Sequence, residues 1–86
     1  MNIIDLISII KKKLSSNIDI ESLKIEDKSF LHKNHSGNQL GKFHIKLTIK
    51  SKDLKQMNKI QSNKKIYKIL DDEMKHYIHS LQILIS

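Results

Sequence analysis

From Phe43 to Lys50 the chain alternates without a break: Phe43, Ile45, Leu47 and Ile49 are apolar, while His44, Lys46, Thr48 and Lys50 are polar. Successive side chains of a strand point to opposite faces, so this stretch reads as a half-buried strand with one face on a core. Upstream, Leu23 and Ile25 alternate more weakly into Asp27, a short strand that the segment 28–42 returns into the stronger one as an antiparallel partner. That connection, at about 15 residues, is longer than hairpins normally tolerate, and connections of this length are usually functional or disordered. It carries both glycines of the chain, Gly37 and Gly41, and two of the five histidines, His32 and His35.

The rest of the chain has helical periodicity until its last residues. Ile3, Leu6, Ile7, Ile10 and Leu14 predict an amphipathic first helix. Asn2 is placed to cap it, Lys11, Lys12 and Lys13 suit the negative pole of its dipole, and Ser15, Ser16 and Asn17 end it. Leu54, Met57 and Ile60 predict a short helix; Ser62 and Asn63, poor in helix interiors, predict a break. Ile66, Ile69, Leu70, Met74 and Tyr77 then predict a longer helix, and residues 78–85 a final strand. The two helices before that strand supply a crossover, so it can lie parallel to the second strand. The expectation is a single α+β domain over 1–86, ordered α-β-β-α-α-β, with helices on one face of a three-stranded mixed sheet.

Composition bounds the chemistry. A formal net charge of +7 and pI near 9.7 point to an acidic partner or to a solvated lysine coat, and the coat is the plainer reading. All sixteen basic residues are lysine, in a chain rich in Ile and Asn as AT-rich coding produces. The lack of cysteine excludes a disulfide, a zinc ribbon or a thiol nucleophile of its own. No apolar run approaches the ~20 residues of a membrane span. The opening stretch has Asp5 inside its apolar run and lysines after it, the reverse of a signal peptide, so a cytoplasmic protein is expected.

The sequence holds no nucleophile–base pair, no phosphate-cradling glycine loop and no cofactor fingerprint, so no enzyme is expected. Asp71, Asp72 and Glu73 read as a solvated face rather than a paired acid and base. His76 reads as exposed, His44 as lining the loop site or, the plainer reading, facing solvent, and His79 as a satisfied structural histidine. His32 and His35 have a spacing that metals can use, although an isolated pair of this kind is more often a polar loop.

Four pieces in order carry a family resemblance: IEDKSFLH before the long connection, FHIKLTIKS as the strong strand, KKIYKILDDEM in the long helix, and IHSL entering the last strand. Together they resemble the BolA-like family over nearly the whole chain, a family whose α-β-β-α-α-β fold is similar to a class II KH domain. The resemblance implies a non-enzymatic partner of monothiol glutaredoxins in iron–sulfur cluster trafficking or iron-dependent regulation. A two-iron, two-sulfur cluster would be shared, with thiolates from glutaredoxin and glutathione and a histidine from this chain. Imidazole replaces thiolate on one iron in other cluster types.

By this resemblance His32 is the first candidate metal ligand and His35 the second, while His44 and His79 match other common family histidines. Aligning on Ile66 and Tyr67 places Ser62, Asn63 and Lys64 where the family usually has Arg-His-Arg. An amide therefore stands at the family's principal ligand candidate, and a neutral amide oxygen is a hard, weak donor. Asn63, Lys64, Ile66 and Tyr67 are the candidate partner-binding residues, beside the 32–41 loop. The alternative is a KH-like nucleic-acid-binding transcriptional regulator using Lys59, Lys64, Lys65 and Lys68. Against it stand the absence of arginine and of a GxxG loop between the helices.

Overall fold

The alternating stretch becomes the middle of the sheet. In a computed structural model, which describes residues 1–29 and 42–86, the elements run α1 (Ile3–Asn17), β1 (Ser22–Asp27), β2 (Phe43–Lys50), α2 (Lys52–Lys55), α3 (Lys59–Ile69), α4 (Asp71–His76) and β3 (Ile78–Ile85). The strand order is β1-β2-β3, with β1 antiparallel to β2 and β3 parallel to it. This is the α+β class that the periodicity predicts, and the bounds of β2 and β3 match the expected 43–50 and 78–85.

Ile45, Leu47 and Ile49 of β2 are buried against Leu6, Ile10 and Leu14 of α1, Leu54 of α2 and Ile66 of α3. Leu23 and Ile25 of β1, and Leu81, Ile83 and Ile85 of β3, flank them on the same face. Burying a side chain of this size contributes about 1.5–3 kcal/mol, and the strand face and the helix stripe supply six of the eleven buried core residues among those described. No helix among the described residues is long and apolar enough to cross a membrane.

The helices depart from the expectation in three places. The chain forms four helices among the described residues, not three. The expected break at Ser62 and Asn63 lies inside α3: Asn58 caps that helix instead, its side chain accepting the Gln61 N–H at 2.8 Å. Ser62 is buried and satisfies its hydroxyl by donating to the Lys59 carbonyl at 3.1 Å, so its poor propensity is overridden. The long final helix divides at Leu70, which turns out of helical geometry while staying wholly buried, so that Asp71, Asp72 and Glu73 form a new acidic first turn.

The third departure concerns Lys11–Lys13, which do not sit in the last turn of α1, because that helix continues to Asn17. Lys13 reaches across to Glu73 of α4 instead, at 2.9 and 2.7 Å from its two carboxylate oxygens. Glu73 is only 5% exposed, which corrects the reading of all three acids as a solvated face. Its charge is carried into the interior by a partner on another helix, as a buried carboxylate requires.

Candidate functional site

The site forms where β2 and β3 begin side by side. Phe43 pairs with Ile78, but His44 pairs with Ser80, so His79 is an extra residue on β3 at an irregularity in the ladder. His44 Nδ1 lies 2.7 Å from Ser80 Oγ. The rings of His44 and His79 meet edge to face, centroids 4.9 Å apart and planes at 61°. His79 is exposed and makes no hydrogen bond to a described residue. His44 is 7% exposed although it lies on the sheet face away from the helices, which corrects the expectation that it faces solvent.

The same corner holds both ends of the long connection. The His44 backbone N–H donates to Ser29 Oγ at 3.1 Å, and the Lys28 N–H donates to the His44 carbonyl at 2.7 Å. Asp27 closes the turn by accepting the Ser29 N–H at 2.9 Å. Next to them, the Phe43 N–H donates to the Tyr77 carbonyl at 2.9 Å. The described residues that flank 30–41 thus lie beside the imidazole pair, while His32 and His35 themselves lie outside the described residues. No group of three or more His, Cys, Asp or Glu that could hold a metal ion occurs among the described residues. Two imidazoles can complete a site only with donors brought from elsewhere.

Charge near this corner is balanced along the sheet's outer face. Lys28 lies 2.7 Å from one carboxylate oxygen of Glu26 and Lys24 3.4 Å from the other. The hydrogen bond from Lys28, aided by Lys24, holds the Glu26 carboxyl below the ordinary carboxylate range.

The residues named on α3 lie elsewhere. Asn63 is half-buried and lines a groove of about 350 Å³ with Leu54, Met57 and residues 83–85 of β3. That is the far end of β3 from His79, roughly 15 Å along a strand that rises about 3.3 Å per residue. Tyr67 is exposed and its hydroxyl donates to the Leu81 carbonyl at 3.2 Å, two residues beyond His79. Ile66 is wholly buried in the core and cannot meet a partner, which corrects its assignment to the docking surface. Lys64 and Lys68 are exposed one turn apart, Lys65 is half-buried on a flank, and Lys59 is exposed in the first turn. His76 is exposed, with Nδ1 3.1 Å from the Asp72 carbonyl.

The pairing of His44 with His79 escaped the sequence reading, although its signal was there. Each histidine is the second residue of its strand, and two parallel strands starting in register bring second residues together. The irregularity that separates them leaves its mark in the spacing of the core-facing residues of β3, three from Ile78 to Leu81 and two from there to Ile83 and Ile85.

Comparison with known proteins bears on the fold and the family. The chain is 35% identical over 75 residues to the "DNA-binding transcriptional regulator BolA" of Haemophilus influenzae, covering 87% of this chain and 70% of that protein. It is 31% identical over 80 residues to "SufE-like protein 1, chloroplastic/mitochondrial" of Arabidopsis thaliana, covering 87% of this chain but 22% of that longer protein. Among solved structures, the "BolA domain of SufE1 from Arabidopsis thaliana" superimposes with a TM-score of 0.75 at 31% identity, over 90% of this chain and 85% of that one. "BolA1 from Arabidopsis thaliana" gives 0.75 at 28% identity, over 92% and 87%. A family model described as BolA-like protein matches residues 14–86, and this chain therefore belongs to the BolA-like family.

Proposed function

We propose that this protein is a non-enzymatic partner of a monothiol glutaredoxin, acting in iron–sulfur cluster trafficking or iron-dependent regulation. The observation that supports it most is the His44–His79 pair, with Ser29 bonded to His44 beside it. Its donor chemistry fits a two-iron, two-sulfur cluster whose thiolates come from glutaredoxin and glutathione. Neutral imidazole suits iron, and a chain without cysteine has no thiolate to give.

In this reading His79, exposed and unconstrained by a hydrogen bond, is this chain's ligand. His44 is the wall beside it, its ring held by the Ser80 hydroxyl. His32 and His35 are the candidates for a further ligand from the adjoining segment. Tyr67, Lys64 and Asn63 make the docking flank along α3, with Tyr67 nearest the imidazoles.

Mixing the protein with cluster-loaded glutaredoxin and recording visible circular dichroism tests this. A new spectrum with co-elution is expected; His79→Ala abolishes it, and His32→Ala and His35→Ala report on the segment. An unchanged spectrum and separate elution of the wild-type protein would remove the proposal.

A second reading is favoured by the exposed pair Lys64 and Lys68, with Lys59 and Lys65 beside them, and by the name of the Haemophilus influenzae relative. Lysines alone give salt-sensitive, sequence-blind binding to phosphates. Gel shifts on duplex DNA across a salt series test it, and binding no tighter than that of a lysine-rich control protein would rule it out.

A further inference from the structure

Ile83, Leu84 and Ile85 all line the groove at the C-terminal end of β3. Side chains alternate along a strand, so a cavity bordered by three consecutive residues reaches past one face, as a cavity along the strand's edge does. Among the described residues β3 has a strand neighbour on one side only, which leaves this edge without a ladder partner. The opposite wall comes from Leu54, Met57 and the first turn of α3. The groove is a trough between a strand edge and a helical wall.

Its chemistry has two parts. The floor is aliphatic, formed by buried Leu54 and half-buried Met57, Ile83 and Ile85, with Leu84 44% exposed at the rim. The remaining rim is cationic: Lys55 and Lys59 are exposed, neither forms an ion pair with a described residue, and no acidic residue lines the trough. Lys55 also borders a neighbouring hollow, where Lys50 and Lys52 are ion-paired with Glu21, so the cationic rim consists of Lys55 and Lys59.

We propose that this trough docks an extended acidic segment of a partner protein, which adds as a strand to the edge of β3. Alternate side chains of the incoming strand are apolar and enter the aliphatic floor, while its carboxylates face Lys55 and Lys59. Strand addition supplies backbone hydrogen bonds for affinity and alternate pockets for specificity. The Tyr67 hydroxyl already occupies the Leu81 carbonyl, so pairing is confined to the strand beyond residue 81. Asn63, half-buried in the wall, carries both a donor and an acceptor for the visiting backbone.

Single-stranded nucleic acid fits less well, because it binds on aromatic stacking platforms and no aromatic residue lines the trough. A second copy of this chain brings the same +7 charge to a cationic rim. The proposal does not rest on the cluster reading, whose imidazoles lie at the other end of β3, although Asn63 borders both surfaces.

The test is a titration of the isotopically labelled protein, without glutaredoxin, by a short peptide alternating leucine and glutamate. Amide shifts confined to residues 54–63 and 82–86 are expected, lost with a peptide carrying lysine in place of glutamate and unaffected by His79→Ala. Lys55→Glu combined with Lys59→Glu, both at exposed positions, is expected to weaken binding about tenfold or more at low ionic strength, a loss that salt masks. Shifts that are absent or lie at the His44–His79 corner overturn the proposal, as does a double variant that binds equally well. Tighter binding of an oligothymidine at the same amides would reassign the trough to nucleic acid.

Discussion

Lys13→Met tests the pair that joins the first helix to the last. The ammonium of Lys13 donates to both carboxylate oxygens of a residue sixty positions away, and that residue, Glu73, is 5% exposed. Methionine keeps the aliphatic stem but strands the carboxylate. Breaking a buried ion pair costs about 3–5 kcal/mol, most of it from the charge left behind. The Lys13 side chain is 38% exposed, so water reaches the vacated place and screens part of that cost. A loss of about 2 kcal/mol is therefore expected, against a total of about 5–10 kcal/mol for a domain of this size.

Urea unfolding followed by far-ultraviolet circular dichroism reads it directly. With an m-value of about 1 kcal/mol/M, the midpoint falls by about 2 M. Adding Glu73→Leu removes the stranded charge and should bring stability back to within about 1 kcal/mol of wild type. The perturbation also reaches the site. The Tyr77 N–H donates to the Glu73 carbonyl at 2.8 Å, and the Tyr77 carbonyl accepts from Phe43, one residue before His44. Imidazole resonances of His44 and His79 are expected to move in Lys13→Met and to return in the double variant. A single variant within about 0.5 kcal/mol of wild type would show that the pair acts as an ordinary surface bridge, and the burial argument would fall.

Three further outcomes are expected. Leu47→Ala, at a wholly buried position in the central strand, should cost about 2–5 kcal/mol in the same urea experiment, and a cost below 1 would contradict its place in the core. Asn58→Ala should cost about 1 kcal/mol by removing the cap of α3, whereas Asn58→Asp should hold stability; equal losses in both would deny the cap. Because the Glu26 carboxyl is held low by Lys28, its contribution to stability is present above the unfolded-state value and is lost as pH falls through the folded one. Carboxyl carbon NMR should show Lys28→Gln moving that titration up toward the ordinary range, and an unmoved curve would remove Lys28 as the cause.

Faces were legible in this chain and what covers them was not. Alternation from Phe43 to Lys50 identifies which side chains meet the core. Periodicity is a local property, whereas each misread residue is decided by a contact distant in sequence. Glu73 is inside because Lys13 arrives from α1, and His44 is covered on a face that alternation assigns to water. Ser62 stays helical because its small side chain fits the interior and its hydroxyl turns back to Lys59. The candidate site is built from contacts of this second kind. Had β2 and β3 continued in regular register after Phe43 and Ile78, His79 would stand directly across from His44. The irregularity puts Ser80 there instead, so one imidazole gains a hydroxyl that fixes its ring while the other is turned out to solvent beside it. An anchored ring next to an exposed one is the arrangement a site needs if it is to keep its shape and still hand a ligand to a partner.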